Sequence, residues 1–278
     1  MIARLLRFIR FSHTVFALPF ALGSMLVAAR GLPPTRTVGL ILLAMVFART
    51  AAMTFNRLAD WQIDQRNPRT ADRHRLISRH AAIVLLLVSS VAFVASSWWI
   101  NPLCFWLSPV ALLIVFFYSL TKRFTAYSHF FLGLGLSVSP VGAWLAVRGE
   151  FAFPPLVLAG AVLLWVAGFD IIYATQDHEF DRATGLNSLV VKLGIQRSLA
   201  GAEALHWLML AVLAGFGWCA GLGGFFFGSL VPIAGAIVYE HRSARADDVS
   251  AINRAFFNSN AFVGGIFLLG VLLDVLVG

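Results

Sequence analysis

The sequence predicts an all-α, polytopic membrane protein with nine transmembrane helices, and three observations predict it. Of its 278 residues, 59% are hydrophobic and only 12% are charged. That is about half the charged share of a soluble domain and leaves too little polar surface to coat a globule. The mean hydropathy is +0.83, and the apolar residues gather in runs of about 20, the length that crosses a bilayer core as a helix. The basic residues, finally, sort onto alternate joints between those runs. The length suits one helical bundle, so residues 1–278 are read as a single domain.

The elements follow in order. The start, MIARLLRFIRF, is basic, and no small-residue cleavage site follows the first apolar run. That run is therefore expected to stay as a helix and not to leave as a signal peptide. Spans are expected near 12–30, 37–60, 80–98, 102–119, 126–147, 154–176, 199–220, 222–240 and 258–277. Two joints are faintly marked: Asn101-Pro102, and the stretch from Gly221 to Gly224, where glycines are the only break.

The charges then fall on two sides. One side receives Arg4, Arg7 and Arg10, then Arg66, Arg69, Arg73, Arg75 and Arg79, then Lys122 and Arg123. It also receives Arg182, Lys192, Arg197, Arg242, Arg245 and Arg254, and the other side has only Arg30, Arg36 and Arg148. By the positive-inside rule the N-terminus and the rich loops are cytoplasmic, and nine helices put Gly278 outside. The net charge of +8 is thus a loop bias of a membrane protein and no sign of a nucleic-acid partner. Cys104 and Cys219 lie in apolar stretches without CxxC spacing or clustered histidine, so they read as membrane-core residues.

The carboxylates gather on the basic side in a repeated pattern. Asn56, Asp60 and Asp64 are each four apart, so on a helix they stack along one face with about 6 Å of rise between neighbours. Two aspartates at that spacing repel each other and are poor helix formers, which costs stability unless a cation sits between them. Asp177 and Asp181 repeat the spacing at the end of the sixth span. Chance spacing at solvated helix ends would account for one such pair, but two on one side beside arginine-rich loops favour a shared purpose. Oxygen ligands without His or Cys select hard cations, and Mg²⁺ takes one or two carboxylates together with waters and substrate phosphates. Two such pairs would hold Mg²⁺ on a diphosphate. Arg69, Arg73 and Lys122, with Arg10 as a weaker candidate, offer cations that match diphosphate oxygens. Topogenic charge is their alternative reading, and it is preferred for Arg75, Arg79, Arg242 and Arg245.

At these residues the sequence resembles the UbiA superfamily of membrane prenyltransferases along nearly the whole chain. The resemblance is carried by Arg49-Thr-Ala-Ala leading to Asn56, Asp60 and Asp64, by Arg69-Thr-Ala-Asp-Arg73, and by Tyr118 to Thr125 around Lys122-Arg123. Its most specific stretch is Asp170-Ile-Ile-Tyr-Ala through Asp177 and Asp181 to Gly185-Leu-Asn-Ser188. It implies nine helices around a central cavity and a single prenyltransferase domain in the inner (plasma) membrane. It also implies Mg²⁺-dependent transfer of a polyprenyl chain from its diphosphate to an aromatic ring. Two departures stand out: Arg57 where the family has Asp, and His74-Arg75-Leu-Ile-Ser-Arg79 in place of Pro-Leu-Pro-Ser-Gly. The Asn-Arg form, with Ser12-His-Thr-Val-Phe-Ala-Leu-Pro19, is similar to the 4-hydroxybenzoate-polyprenyltransferase-like branch serving menaquinone synthesis. The acceptor is accordingly expected to be 4-hydroxybenzoate or a dihydroxynaphthoate, for ubiquinone or menaquinone.

Two intramembrane charges remain. Arg49 lies seven residues before Asn56, and Asp170 lies seven before Asp177. Such charges cost about 2.5–3.5 kcal/mol on insertion scales and face a cavity or a partner. In one reading Arg49 binds the carboxylate of an aromatic acid while Asn56 or Asp170 orients the ring hydroxyl, and Asp170 takes the ring proton. In the other, Arg49 and Asp170 are a structural ion pair. Another prenyl acceptor is one rival function. A transporter is a second, though its site would lie at the midplane on broken helices, and the Asp-Gly…Ala-Arg motif of a CDP-alcohol transferase is absent.

Overall fold

The computed structural model describes residues 2–9, 14–244 and 249–278. Among the described residues every regular element is a helix: α1 (Ile2–Phe8), α2 (Thr14–Ala29), α3 (Thr35–Ala59), α4 (Trp61–Arg66), α5 (Arg79–Ile100), α6 (Pro102–Thr121) and α7 (Ser128–Arg148). They continue with α8 (Phe153–Ala174), α9 (His178–Thr184), α10 (Leu189–Leu193), α11 (Ile195–Ala220), α12 (Gly224–Ala244) and α13 (Val249–Leu276). Short 3₁₀ turns stand at Ala71–Arg75 and Thr175–Asp177. Among the described residues eight segments are long and apolar enough to span: α3, α5, α6, α7, α8 through α9, α11, α12 and the Phe257–Leu276 part of α13. Phe16–Ala29 in α2 is a ninth, shorter apolar helix, so the nine expected runs all appear as helices.

The two faint joints have clear local causes. At the first, the Asn101 side chain accepts from the Cys104 backbone N–H at 2.8 Å, and Pro102 opens α6 where its missing N–H has no helical partner to lose. At the second, Gly221 ends α11 with φ 68°, a left-handed turn that glycine alone adopts without strain. Helix α12 then begins under the carboxylate of Asp274, which accepts from the N–H groups of Gly223, Phe225 and Phe226 at 2.9, 3.2 and 2.8 Å.

The chain forms two compact units, Met1–Val15 with Pro34–Leu120, and Phe16–Pro33 with Thr121–Gly278. In the first, α3 packs on α5 along buried Ala82, Ser89, Ser96 and Ser97. Small residues permit close approach where lipid supplies no hydrophobic drive, and the serine hydroxyls bond back to their own helix, as Ser89 does to the Leu85 carbonyl at 2.6 Å. Phe55 of α3 stacks on Phe116 of α6 with centroids 4.6 Å apart. In the second unit α8 packs between α7 and α11, and α12 pairs with α13. An aromatic core of Phe16, Phe20, Trp165, Phe169 and Phe267 fills this unit, with Phe20 stacked on Phe267 at 4.6 Å. Outward-facing residues are apolar as well: Val91 is 69% and Val231 74% exposed, which suits acyl chains and would be an aggregation hazard in water.

Candidate active site

The first carboxylate motif sits where α3 gives way to α4. Asp60 is the joint residue, with φ −93° and ψ 14°. The sequence reading of one continuous helical face is therefore corrected: the helix is interrupted at Asp60. The spacing survives, because the Asp60 N–H still bonds the Asn56 carbonyl at 2.9 Å and the Asp64 N–H bonds that of Asp60 at 2.7 Å. The Asn56 amide donates to Asp60 Oδ2 at 3.5 Å, and Asp60 is only 3% exposed. Arg57, also buried, reaches Asp64 Oδ2 at 3.5 Å. Sequence reasoning noted Arg57 only as a departure, yet its distance of seven residues, two helical turns, was a signal for this pair. Beneath the joint, Leu58 and Trp61 pack with Phe8 and Ile9 of the N-terminal segment and Ala82 of α5.

After α4 the chain folds back. Thr70 Oγ1 donates to the Asp64 carbonyl at 3.0 Å, and the Arg69 N–H donates to Asn67 Oδ1 at 2.9 Å. This tight turn leaves the Arg69 side chain exposed next to the motif. Arg10 and the Arg73 side chain lie outside the described residues. Arg75 pairs with Asp72 at 3.3 Å in full exposure, in keeping with its reading as surface charge.

The second motif has the same construction. Helix α8 ends at Ala174, the turn Thr175–Asp177 is 3₁₀, and α9 starts at His178. Asp177 thus occupies a joint as Asp60 does, and here too the continuous helix expected from sequence is broken. Asp177 and Asp181 are half-buried, whereas Glu179 is exposed. The Gly185-Leu-Asn-Ser188 string then closes the loop residue by residue. Gly185 caps α9 at φ 70°, and the Asn187 N–H donates to the Lys122 carbonyl at 2.9 Å. Ser188 Oγ accepts from the Val191 N–H at 3.1 Å to start α10. Lys122, just beyond α6, is thereby tied to the loop that follows the second motif. Ile171, Ile172, Leu189, Val190 and Leu199 form the apolar floor.

Asp170 has a partner that sequence reasoning missed. Its Oδ2 lies 2.7 Å from His129 Nδ1 in the first turn of α7. A lone histidine opening an apolar helix has no spacing signal, and its partner is 41 residues away in the chain. Arg49 is half-buried on α3, two turns before Asn56.

The donor chemistry suits Mg²⁺ that arrives with phosphate. Among the described residues no group of three or more His, Cys, Asp or Glu gathers as a metal cage. The carboxylates come in pairs, and Mg²⁺ rarely takes an all-protein cage. It keeps waters and binds one or two carboxylates plus phosphate oxygens.

The fold and the site define an all-helical membrane protein with two paired-aspartate helix joints. The comparisons are specific. The model of the UbiA prenyltransferase family matches residues 17–264. The 4-hydroxybenzoate octaprenyltransferase of Nitrosospira multiformis is 31% identical over 255 residues, 90% of this chain and 87% of that one. Its counterpart in Vibrio cholerae is 32% identical, covering 91% and 90%. The apo structure of a UbiA homologue from Aeropyrum pernix K1 superposes with a TM-score of 0.85 at 32% identity, covering 95% of this chain and 98% of that one. A UbiA homologue from Archaeoglobus fulgidus bound to DMAPP and Mg²⁺ shares the fold, with a TM-score of 0.72 at 18% identity over 99% and 100%. The chain belongs to the UbiA prenyltransferase family; it is a multi-pass membrane enzyme. This membership also decides against the transporter reading.

Proposed function

We propose that the chain transfers a polyprenyl group from a polyprenyl diphosphate to an aromatic hydroxy acid, 4-hydroxybenzoate or a dihydroxynaphthoate, for ubiquinone or menaquinone synthesis. The observation that carries this reading is the 31% identity, along 90% of the chain, to an enzyme named for that reaction. Both motifs have the donor set such chemistry needs. Asp60, Asp64, Asp177 and Asp181 are read as the Mg²⁺ ligands. Bound there with the diphosphate, Mg²⁺ would supply charge stabilisation worth several kcal/mol as the allylic C–O bond ionises. Arg69, Arg73 and Lys122, with Arg10 from the N-terminal segment, bind diphosphate oxygens and steady the departing pyrophosphate. Arg49 holds the acceptor carboxylate while Asn56 or Asp170 orients its hydroxyl, and Asp170 takes the proton that the ring loses. Apolar walls keep water from trapping the allylic cation. The prenyl donor partitions into the same bilayer, the inner membrane, with the N-terminus and the carboxylate joints on the cytoplasmic side.

The test is direct. Purified protein is incubated with Mg²⁺, a polyprenyl diphosphate and a panel of 4-hydroxybenzoate, 1,4-dihydroxy-2-naphthoate, phenol and non-aromatic alcohols, and products are identified by mass spectrometry. Prenylated aromatic acid is expected, and the better of the two acids tells ubiquinone from menaquinone chemistry. Prenylation of a non-aromatic alcohol alone would replace this reading.

A further inference from the structure

We infer that His129 is the positioning residue for Asp170, fixing one carboxylate oxygen so that the other is presented to the aromatic acceptor. The inference rests on the function proposed above and adds a residue to it. It begins with packing. Gly133 of α7 lies against α8 so closely that a Cβ there would stand 2.5 Å from the Leu163 carbonyl oxygen. From that contact, four residues back along α7 is His129 and seven residues on along α8 is Asp170. The antiparallel helices carry both toward the same end, where the side chains meet at 2.7 Å.

The two partners differ in their surroundings. The His129 side chain is 3% exposed and that of Asp170 is 28% exposed, so the imidazole stands behind a carboxylate that is partly open. His129 Nε2 is buried without a hydrogen-bond partner. A proton on that nitrogen would be a buried donor with no acceptor, which selects the tautomer with hydrogen on Nδ1. Nδ1–H therefore donates to Asp170 Oδ2, and a hydrogen bond to one oxygen sets the carboxylate plane and aims Oδ1. A base held in this way needs no reorganisation at the moment of reaction.

The proton balance gives that oxygen its task. As the allylic C–O bond breaks, its electron pair leaves on pyrophosphate, and a ring carbon supplies the pair for the new C–C bond. The ring must then lose the proton from that carbon to regain aromaticity, and Asp170 Oδ1 accepts it. His129 itself touches neither substrate; it acts through Asp170.

The test uses the full-length protein in detergent with Mg²⁺, a polyprenyl diphosphate and the acceptor that the parent prefers. His129→Phe removes the donor, and His129→Asn puts an amide N–H where Nδ1–H stands. We expect His129→Phe to lower kcat at saturating acceptor by tenfold or more with an unchanged KM for the prenyl diphosphate, and His129→Asn to recover most of the loss. In an Asp170→Asn background the His129→Phe change should cost less than twofold, because the residue it positions is already disabled. Parent-like kcat in His129→Phe, or losses that multiply in the double variant, would overturn the role. A thermal transition in detergent reports folding; if His129→Phe fails it, His129→Asn decides, and a tenfold loss there also overturns it. A parent that prenylates no aromatic acceptor would instead overturn the function reading and this inference with it.

Discussion

Asp60 is buried at a helix joint with the Asn56 amide 3.5 Å away, and a buried carboxylate is costly unless it is paired or coordinates a cation. Asp60→Asn or Asp177→Asn should therefore lower kcat/KM by a hundredfold or more, about 3 kcal/mol, without lowering the detergent melting temperature. Near-native turnover in the double variant at ordinary Mg²⁺ would remove these residues from the site. Exposed Glu179 should tolerate change to Gln with a much smaller loss. Arg69, whose backbone is tied to Asn67 and which is exposed, should on change to Ala raise KM for the prenyl diphosphate and leave that for the acceptor alone. At this scale the sequence was informative where function imposed a period: four residues between Asn56, Asp60 and Asp64, and again between Asp177 and Asp181. It was silent on His129, because that residue's contact is made by the packing of α7 on α8 and leaves no local pattern.

Helices are placed here mostly by close contacts at small residues, and a strand of polar contacts runs through the second unit. His206 is fully buried; its Nε2 lies 3.1 Å from the Trp165 carbonyl and its Nδ1 lies 2.9 Å from His241 Nε2. Glu240, the neighbour of His241, accepts from the Asn260 amide at 3.0 Å, so α8, α11, α12 and α13 are joined. Gly168 makes room for this, since a Cβ there would run into the His206 ring. Gly168→Ala should destabilise the protein by about 1–3 kcal/mol through overpacking, read as a lower melting temperature, and an unchanged transition would show that the His206 ring is free to move away. The helix spans were legible in sequence because hydropathy alone sets them, and the Asn101-Pro102 joint because a cap and a proline are local signals. The breaks at Asp60 and at Thr175–Asp177 were not, since periodicity continues across each joint and does not report the dihedral angles. The capping of α12 by Asp274 was likewise hidden, as it arrives from about 50 residues away.

For the molecule as a whole, the orientation turns on α2. Its described span, 16 residues from Thr14 to Ala29, rises about 24 Å at 1.5 Å per residue, against about 30 Å of hydrocarbon. Eight other segments are long enough to cross without difficulty, so whether α2 crosses decides the parity of the chain. If it crosses, Arg4, Arg7 and Arg10 lie on the side of the basic loops, and Arg30 and Arg36 lie with Arg148 on the sparse side. If it does not, the N-terminal arginines join the sparse side, and the asymmetry that orients the protein is weakened. The charges therefore favour nine crossings, with local thinning of the bilayer or flanking residues making up the shortfall. A periplasmic reporter such as alkaline phosphatase should be active when fused after Gly31 and after Gly278, and inactive when fused after Arg123. Eight segments separate Gly31 from Gly278, so the two fusions should agree; inactivity after both, with activity after Arg123, would mean that a cytoplasmic N-terminus is kept and α2 enters and leaves by the same face. Inactivity after Gly278 would reverse the orientation and move the Asp60 and Asp177 joints away from the cytoplasmic supply of prenyl diphosphate.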